Sequence, residues 1–354
     1  MERLNLKHGG EVLKVAKSLK ANPREILDFS SNTNPLGPPK GALKAIEKAI
    51  ELMSFYPDED YEEFREAIAR NLNVRFDEVI EANGATEMIY NFVALAKEGS
   101  KAIIPLPTFS EYEKACKMKN LKIHYIPIKK LNSFMKEMKN SSMIFLCNPN
   151  NPDSHLFKRE ELYELLREAE EKDCYTLIDE SFLPFSIEED KYSLVKDSSK
   201  FSKLLVIRSL TKFFCLPGVR VGYAIANKEL AEKIKGLKAS WSLNCFAEKI
   251  AIECLKDTEY INRTKNLIHE EKDFLYNELK EFFYPYETKV NFLLVKLKNI
   301  KSYELKSRLI KKKILIRDCS NIRGLNQNYI RVSVRDREDN IKLIKALREV
   351  MNFG

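Results

Sequence analysis

Between residues 77 and 209 the chain switches repeatedly between two hydrophobic periods, and that alternation limits the folds open to it. Short apolar runs, KAIIPL, LKIHYIPI, SMIFLC, CYTLID and KLLVIRS, are separated by amphipathic stretches such as TEMIYNFVALAK and REELYELLREAEE. Short continuous apolar runs read as strands covered on both faces, and apolar residues three and four apart read as helices packed on one side. DEVIEAN reads as one more strand, and GALKAIEKAIELM and DEDYEEFREAIARNL as helices ahead of it. The pattern predicts an α/β fold with a mostly parallel central sheet flanked by helices.

After about residue 245 the pattern changes. A long helical stretch, AEKIAIECLKDTEYINRTKNLIHEEKDFLYNELKEFF, is followed by strand-like VNFLLVKL, helical SYELKSRLIKK, strand-like ILIRDC and YIRVSVR, and a last helix, EDNIKLIKALREVM. This order predicts a smaller α+β domain. The expected division of the 354 residues is a lead-in segment over 1–35, packing with the small domain and the active site, a large domain over 36–250 and a small domain over 251–354.

The net charge of +8 invites a nucleic-acid reading, but lysines and arginines alternate with glutamates along the helices, the pattern of a solvated face. No nucleic-acid partner is expected. The start, MERLNLKHGGEVLK, lacks the apolar core of a secretion signal, and no run of about 18 apolar residues occurs, so neither secretion nor a membrane partner is expected. Seven widely spaced cysteines do not form a disulfide framework and suit a reducing cytoplasm. With four scattered histidines, no metal site is expected.

Several strand ends carry polar residues where an open α/β sheet binds ligands. Asp179 and Glu180 end one strand, and a buried carboxylate there needs a cation or hydrogen-bond donors to stay charged. FLCNPNNPDS follows another strand, and its two Asn-Pro steps fix a turn-rich loop with projecting amides. Gly84, Ala85 and Thr86 lie between a strand and a helix, where free N–H groups and the helix dipole favour an anion. RSLTKFFCLPGVR sets Lys212 between Ser209 and Arg220. Taken singly, each also has an ordinary structural use, as a helix cap, a rigid turn or a surface charge.

Taken together, GATE, PTFSEY, NPNNP, DES, SLTK and LPGVR occur in one order along nearly the whole chain. In this the chain resembles the fold-type I aminotransferase superfamily of pyridoxal-phosphate enzymes. HGG, LDFSSNTNPLGPP, YPDEDYEEFREAIA, VIRSLTKFFCLPGVRVGY, ASWSLN, ILIRDCSN and YIRVSVR narrow the resemblance to the threonine-phosphate decarboxylases of cobalamin biosynthesis, close relatives of the histidinol-phosphate aminotransferases. The resemblance implies pyridoxal 5'-phosphate as cofactor, with Lys212 taking its aldehyde, Asp179 facing the ring nitrogen, Asn151 the ring hydroxyl and Phe109 the ring face. It assigns the cofactor phosphate to Gly84, Ala85, Thr86, Ser209 and Arg220, and to Tyr56 from the second subunit of a homodimer. For a small phosphorylated amino-acid substrate it implies Arg331 at the carboxylate and His8, Asn32, Arg317 and Arg335 as candidates at the phosphate.

Three departures bear on this. Asp153 and Ser154 replace the Thr-Gly that usually closes NPNNPTG in these families. Phe182 stands where many aminotransferases have a tyrosine, and Arg335 where the histidinol-phosphate enzymes usually have glycine. The last two favour the decarboxylase, so the expected activity is loss of carbon dioxide from L-threonine O-3-phosphate to give (R)-1-amino-2-propanol phosphate. Amino transfer from histidinol phosphate to 2-oxoglutarate is the alternative, and a non-catalytic regulator on the aminotransferase fold is a third reading.

Overall fold

The computed structural model describes residues 9–129, 131–138 and 141–351, and His8 lies outside them. The first strand, β1 (Leu27–Asp28), belongs to the lead-in segment. Strands β2 (Val79–Ala82), β3 (Lys101–Leu106), β4 (Lys122–Pro127), β5 (Ser141–Cys147), β6 (Tyr175–Asp179), β7 (Leu204–Ser209) and β8 (Gly222–Ile225) make one seven-stranded sheet. Their order is β2-β8-β7-β6-β5-β3-β4, and β8 alone runs against its neighbours. This is the mostly parallel sheet that the apolar runs predict, with β8 as an addition that VGYAIA does not announce.

Alternate residues of each strand feed two different cores. Leu204 and Val206 face one side with Leu162 and Leu165 of helix Arg159–Glu171, while Leu205 and Ile207 face the other with Met88 and Ile89 of helix Ala85–Ala94. The period of two along a strand covered by helices on both faces leaves no polar side, hence the continuous apolar runs.

The second sheet is antiparallel, in the order β12-β13-β10-β9, formed by β9 (Tyr284–Pro285), β10 (Phe292–Lys296), β12 (Arg317–Asp318) and β13 (Tyr329–Ser333). The run ILIRDC does not form one strand. Its first half is β11 (Ile314–Leu315), which pairs in parallel with β1, and after Ile316 the chain crosses to the second sheet as β12. Phe29 N–H donates to Leu315 O at 2.8 Å and Ser333 N–H donates to Phe29 O at 2.9 Å, so the lead-in is bonded to the C-terminal region.

The long helical stretch is two helices, Cys245–Lys256 and Thr258–Leu279, parted at Asp257, whose carboxylate accepts from Tyr260 N–H at 2.9 Å. An aspartate that caps the following helix starts a new one more readily than it continues the old. The first helix packs on Lys40–Ala49 and Glu62–Leu72. The boundary expected at 250–251 falls inside it. No helix among the described residues is long and apolar enough to cross a membrane.

The seven-stranded sheet also buries a charge. Arg208 in β7 donates to Glu180 Oε2 through Nε at 3.0 Å and Nη2 at 2.7 Å, and to Glu189 at 2.6 Å. Removing one partner of such a pair leaves the others uncompensated. Arg208→Met is therefore expected to lose about 3–5 kcal/mol in a urea titration. The loss should be full at high pH and shrink as pH falls through the folded-state titration of Glu180, which burial raises above the ordinary glutamate value and which loss of Arg208 raises further.

Candidate active site

Because β2, β3, β5, β6 and β7 all point one way, their carboxyl ends meet at one edge of the sheet. The reversed β8 begins at that same edge, so Arg220, two residues before it, arrives there too. A cavity of about 270 Å³ opens at this edge. Ala85, Thr86, Phe109, Asn151, Asp179, Ser209, Lys212 and Arg220 line it from the large sheet, and Asn32, Arg317 and Arg331 from the lead-in and the second sheet.

Lys212 sits in a four-residue helix, Leu210–Phe213, that Ser209 caps by accepting from Thr211 N–H at 3.2 Å. The helix is tied to the rest of the molecule through Asn34, whose N–H donates to Lys212 O at 3.0 Å and whose amide donates to Phe213 O at 2.8 Å and Thr264 Oγ1 at 2.7 Å. Burial pushes the Lys212 amine down to about 8, and the Arg331 and Arg220 guanidiniums add to the effect.

Asp179 is buried at the end of β6. Tyr112 donates to its Oδ2 at 2.8 Å and Ser181 N–H to its Oδ1 at 2.9 Å. Burial pushes its pKa up, opposed by these two donors. Tyr112 went unremarked in the sequence, although it lies in PTFSEY, three residues after Phe109 and on the first turn of helix Ser110–Met118. The Phe109 ring meets the Tyr112 ring edge-on at 5.7 Å and lines the cavity.

The helix Ala85–Ala94 starts at the cavity, and its N-cap, Gly84, has φ +75°. A Cβ there would lie 2.5 Å from Arg220 Nη2, so a glycine at 84 lets the guanidinium lie over the helix start. On the opposite wall, Arg331 donates to Asn151 Oδ1 and, at 2.9 Å, to Ser30 O. Burial lowers Arg331 to about 10. Arg317 donates to Asn321 Oδ1 at 2.8 Å, and burial lowers its pKa as well. Arg331 Nε and both amide atoms of Asn32 are buried without a partner among the described residues.

Two expected residues lie elsewhere. Arg335 does not line the cavity, because its Nε donates to Asp339 at 2.8 Å and its Nη1 to Asp28 O at 3.3 Å. Tyr56 is 80% exposed and lies against Trp241, with ring centroids 4.7 Å apart. The departures in the NPNNP loop are accommodated. Asp153 accepts from Asn150 Nδ2 at 2.6 Å and from His155 N–H at 3.2 Å. Ser154 takes φ +55°, where the families usually have glycine, and its hydroxyl reaches Glu287 O at 3.1 Å. Phe182 walls the cavity, edge-on to Phe292 at 5.0 Å.

The sequence model of aminotransferase class I and II matches residues 24–347. The chain belongs to that family. A protein of Caldanaerobacter subterraneus subsp. tengcongensis, provisionally named a threonine-phosphate decarboxylase, is 39% identical over 92% of this chain and 90% of its own length. Among solved structures, the histidinol-phosphate aminotransferase from Clostridium acetobutylicum is similar with a TM-score of 0.87 at 35% identity, covering 93% of this chain and 100% of that one. The L-threonine-O-3-phosphate decarboxylase from Porphyromonas gingivalis gives 0.83 at 26% identity, covering 92% of this chain and 100% of that one.

The position of Lys212 predicts its titration. Competitive acetylation followed by mass spectrometry should give Lys212 a midpoint near pH 8, with the amine protonated below and nucleophilic above. Arg331→Met should move the Lys212 midpoint upward, because a neighbouring cation that disfavours the ammonium form is gone.

Proposed function

We propose that the protein is a pyridoxal-phosphate-dependent lyase that decarboxylates L-threonine O-3-phosphate to (R)-1-amino-2-propanol phosphate, as the named relative and the Porphyromonas enzyme do by their names. The observation that carries the reading is the charge of the cavity. Among its described lining residues the cations are Lys212, Arg220, Arg317 and Arg331, and Asp179 is the single carboxylate. Such a site favours anions, and the proposed complex brings three, the cofactor phosphate and the substrate carboxylate and phosphate.

The residues present fit the cofactor. Gly84 leaves the helix start open beside Arg220, which suits a phosphate. Asp179, raised by burial and held by two neutral donors, suits a protonated ring nitrogen that would keep it ionised. Lys212, lowered to about 8, has a neutral fraction able to attack an aldehyde near neutral pH. When bound, pyridoxal phosphate supplies an electron sink for the bond being broken.

The remaining work falls to the chain's own groups. Ala85 and Thr86 at the helix start, Ser209 and Arg220 would hold the cofactor phosphate. Arg331, with Asn151 already on one of its donors, takes the substrate carboxylate as a bidentate anion and fixes which bond at the α-carbon is presented for breaking. Asn32 and Arg317 offer donors to the substrate phosphate. After carbon dioxide leaves, Lys212 Nζ holds a proton within the cavity for return to the α-carbon. Phe182, with no hydroxyl, offers no second proton carrier on its wall of the cavity.

We also propose a homodimer in which Tyr56 serves the partner's site. Tyr56 lies against Trp241, and Leu43, Ile50, Met53 and Phe55 are exposed as well, apolar side chains that a second subunit would cover. The seven cysteines, all unpaired, agree with a reducing cytoplasm.

The second reading, transfer of an amino group from histidinol phosphate to 2-oxoglutarate, is favoured by the 35% identity to the Clostridium acetobutylicum structure. Incubation with threonine phosphate is expected to release carbon dioxide and aminopropanol phosphate without any keto acid. Glutamate formation from histidinol phosphate and 2-oxoglutarate, with threonine phosphate untouched, would transfer the assignment to the aminotransferase. Mixing inactive Lys212→Ala chains with Tyr56→Ala chains should restore part of the activity, since one site of the mixed dimer then has both native residues. Failure to recover any, with mixed dimers demonstrated, would place Tyr56 outside the partner's site.

A further inference from the structure

Between β12 and β13 the chain makes a loop, residues 319–328, that leaves the second sheet and lies on the first. Two turns shape it, with Ile322 N–H donating to Cys319 O and Leu325 N–H donating to Ile322 O, both at 3.0 Å. Gly324, at φ +89°, sits so close to the end of β3 that a Cβ on it would lie 3.2 Å from Leu106 Cβ and 3.3 Å from Pro107 N. Between these points Ile322 forms part of the cavity wall, and Asn321 accepts from the Arg317 guanidinium at 2.8 Å.

The loop is clamped at Arg323. Its Nε and Nη2 donate to Glu113 Oε2 and Oε1 at 3.0 and 3.1 Å, a two-point contact between residues 210 positions apart. The guanidinium also lies over the Tyr125 ring, 4.8 Å from its centroid. Glu113 is carried by the helix Ser110–Met118, which has Phe109 as its N-cap and supplies Tyr112 to Asp179. Arg323 holds the Glu113 carboxyl down to about 2, so the pair stays charged throughout the physiological range. Beside the clamp, an open groove lined by Glu113, Lys117, Asn321 and Arg323 continues to Phe109 and Ser110, which also line the cavity.

We propose that the Arg323–Glu113 pair is a positioning device for substrate binding. By fixing loop 319–325 on the helix Ser110–Met118, it sets Ile322 as the wall of the substrate space and Asn321 as the partner that aims Arg317. An ion pair as exposed as this one contributes little to global stability, and its value lies in register. A planar fork meeting a carboxylate at two points fixes orientation as well as distance, which a lysine could not do. The proposal rests on the cavity being the substrate site argued above.

Two measurements test it. In steady-state kinetics with threonine phosphate, Arg323→Gln and Glu113→Gln are expected to raise KM about three- to tenfold with kcat and the cofactor absorbance nearly unchanged, as befits loss of one partly exposed charged contact. Arg323→Lys should fall between wild type and Arg323→Gln. Lys117→Gln removes the other cation on Glu113 and should leave KM unchanged. Separately, amide hydrogen exchange without substrate should quicken at residues 319–325 in Arg323→Gln and Glu113→Gln but not in Lys117→Gln. Unchanged exchange in those two variants, or an equal KM effect in Lys117→Gln, would overturn the clamp. Absence of any turnover of threonine phosphate by the wild type would overturn the assigned reaction instead, and the exchange experiment would still judge the clamp.

Discussion

Strand direction is the constraint on which the site depends. A sheet whose strands run in common discharges its connections at one edge, and each connection there can bring one or two polar residues without disturbing the apolar faces. Reversing β8 adds the start of a strand to that edge, so Arg220 joins the site from the amino side of its strand and Ser209 from the carboxyl side of the neighbour. The pairing of Ser209 with Gly222 keeps the two ends of RSLTKFFCLPGVR side by side. A Cβ on Gly222 would lie 2.6 Å from Ala85 N and 2.8 Å from Arg208 O, so only a glycine lets this strand lie so close to the helix start.

Gathering cations at one place has an electrostatic cost that falls on the weakest base among them. Arginines keep their charge under nearly any burial, whereas a lysine ammonium yields a proton. Lys212, between Arg331 and Arg220, is the group that gives way. Burial lowers it most, and the same crowding that attracts anions adds to that in making a nucleophile of the one amine in the cavity. Binding of anions would in turn relax the repulsion, so occupancy of the phosphate and carboxylate positions is coupled to the basicity of Lys212.

Much of this was legible in the sequence because ligand-facing residues in such a sheet lie in short loops directly after apolar runs, where they stand out as Gly-Ala-Thr, Asn-Pro and Ser-Leu-Thr-Lys. The fold class could be read from the same runs. What escaped is informative about the limits of local pattern. Tyr112 has the spacing of a core helical residue and acts through its hydroxyl, which periodicity cannot separate from its ring. Asn34 was one polar residue in a polar lead-in, and its tie to Lys212 spans most of the large unit. Arg335 looked like one more cation in an arginine-rich ending, but Asp339 lies one helical turn on and takes its guanidinium. β8 has only four residues and includes a glycine, and ILIRDC divides between two sheets at Ile316, which no run of apolar letters marks.

The bonding of Phe29 to Leu315 and Ser333 joins the first strand to nearly the last. During synthesis β1 must therefore wait until β11 exists, whereas the last strand of the seven-stranded sheet ends at Ile225. The lead-in also supplies Asn34 to Lys212 and Ser30 to Arg331. The wall of the cavity that the lead-in and the second sheet supply is therefore the last of it to be synthesised in full.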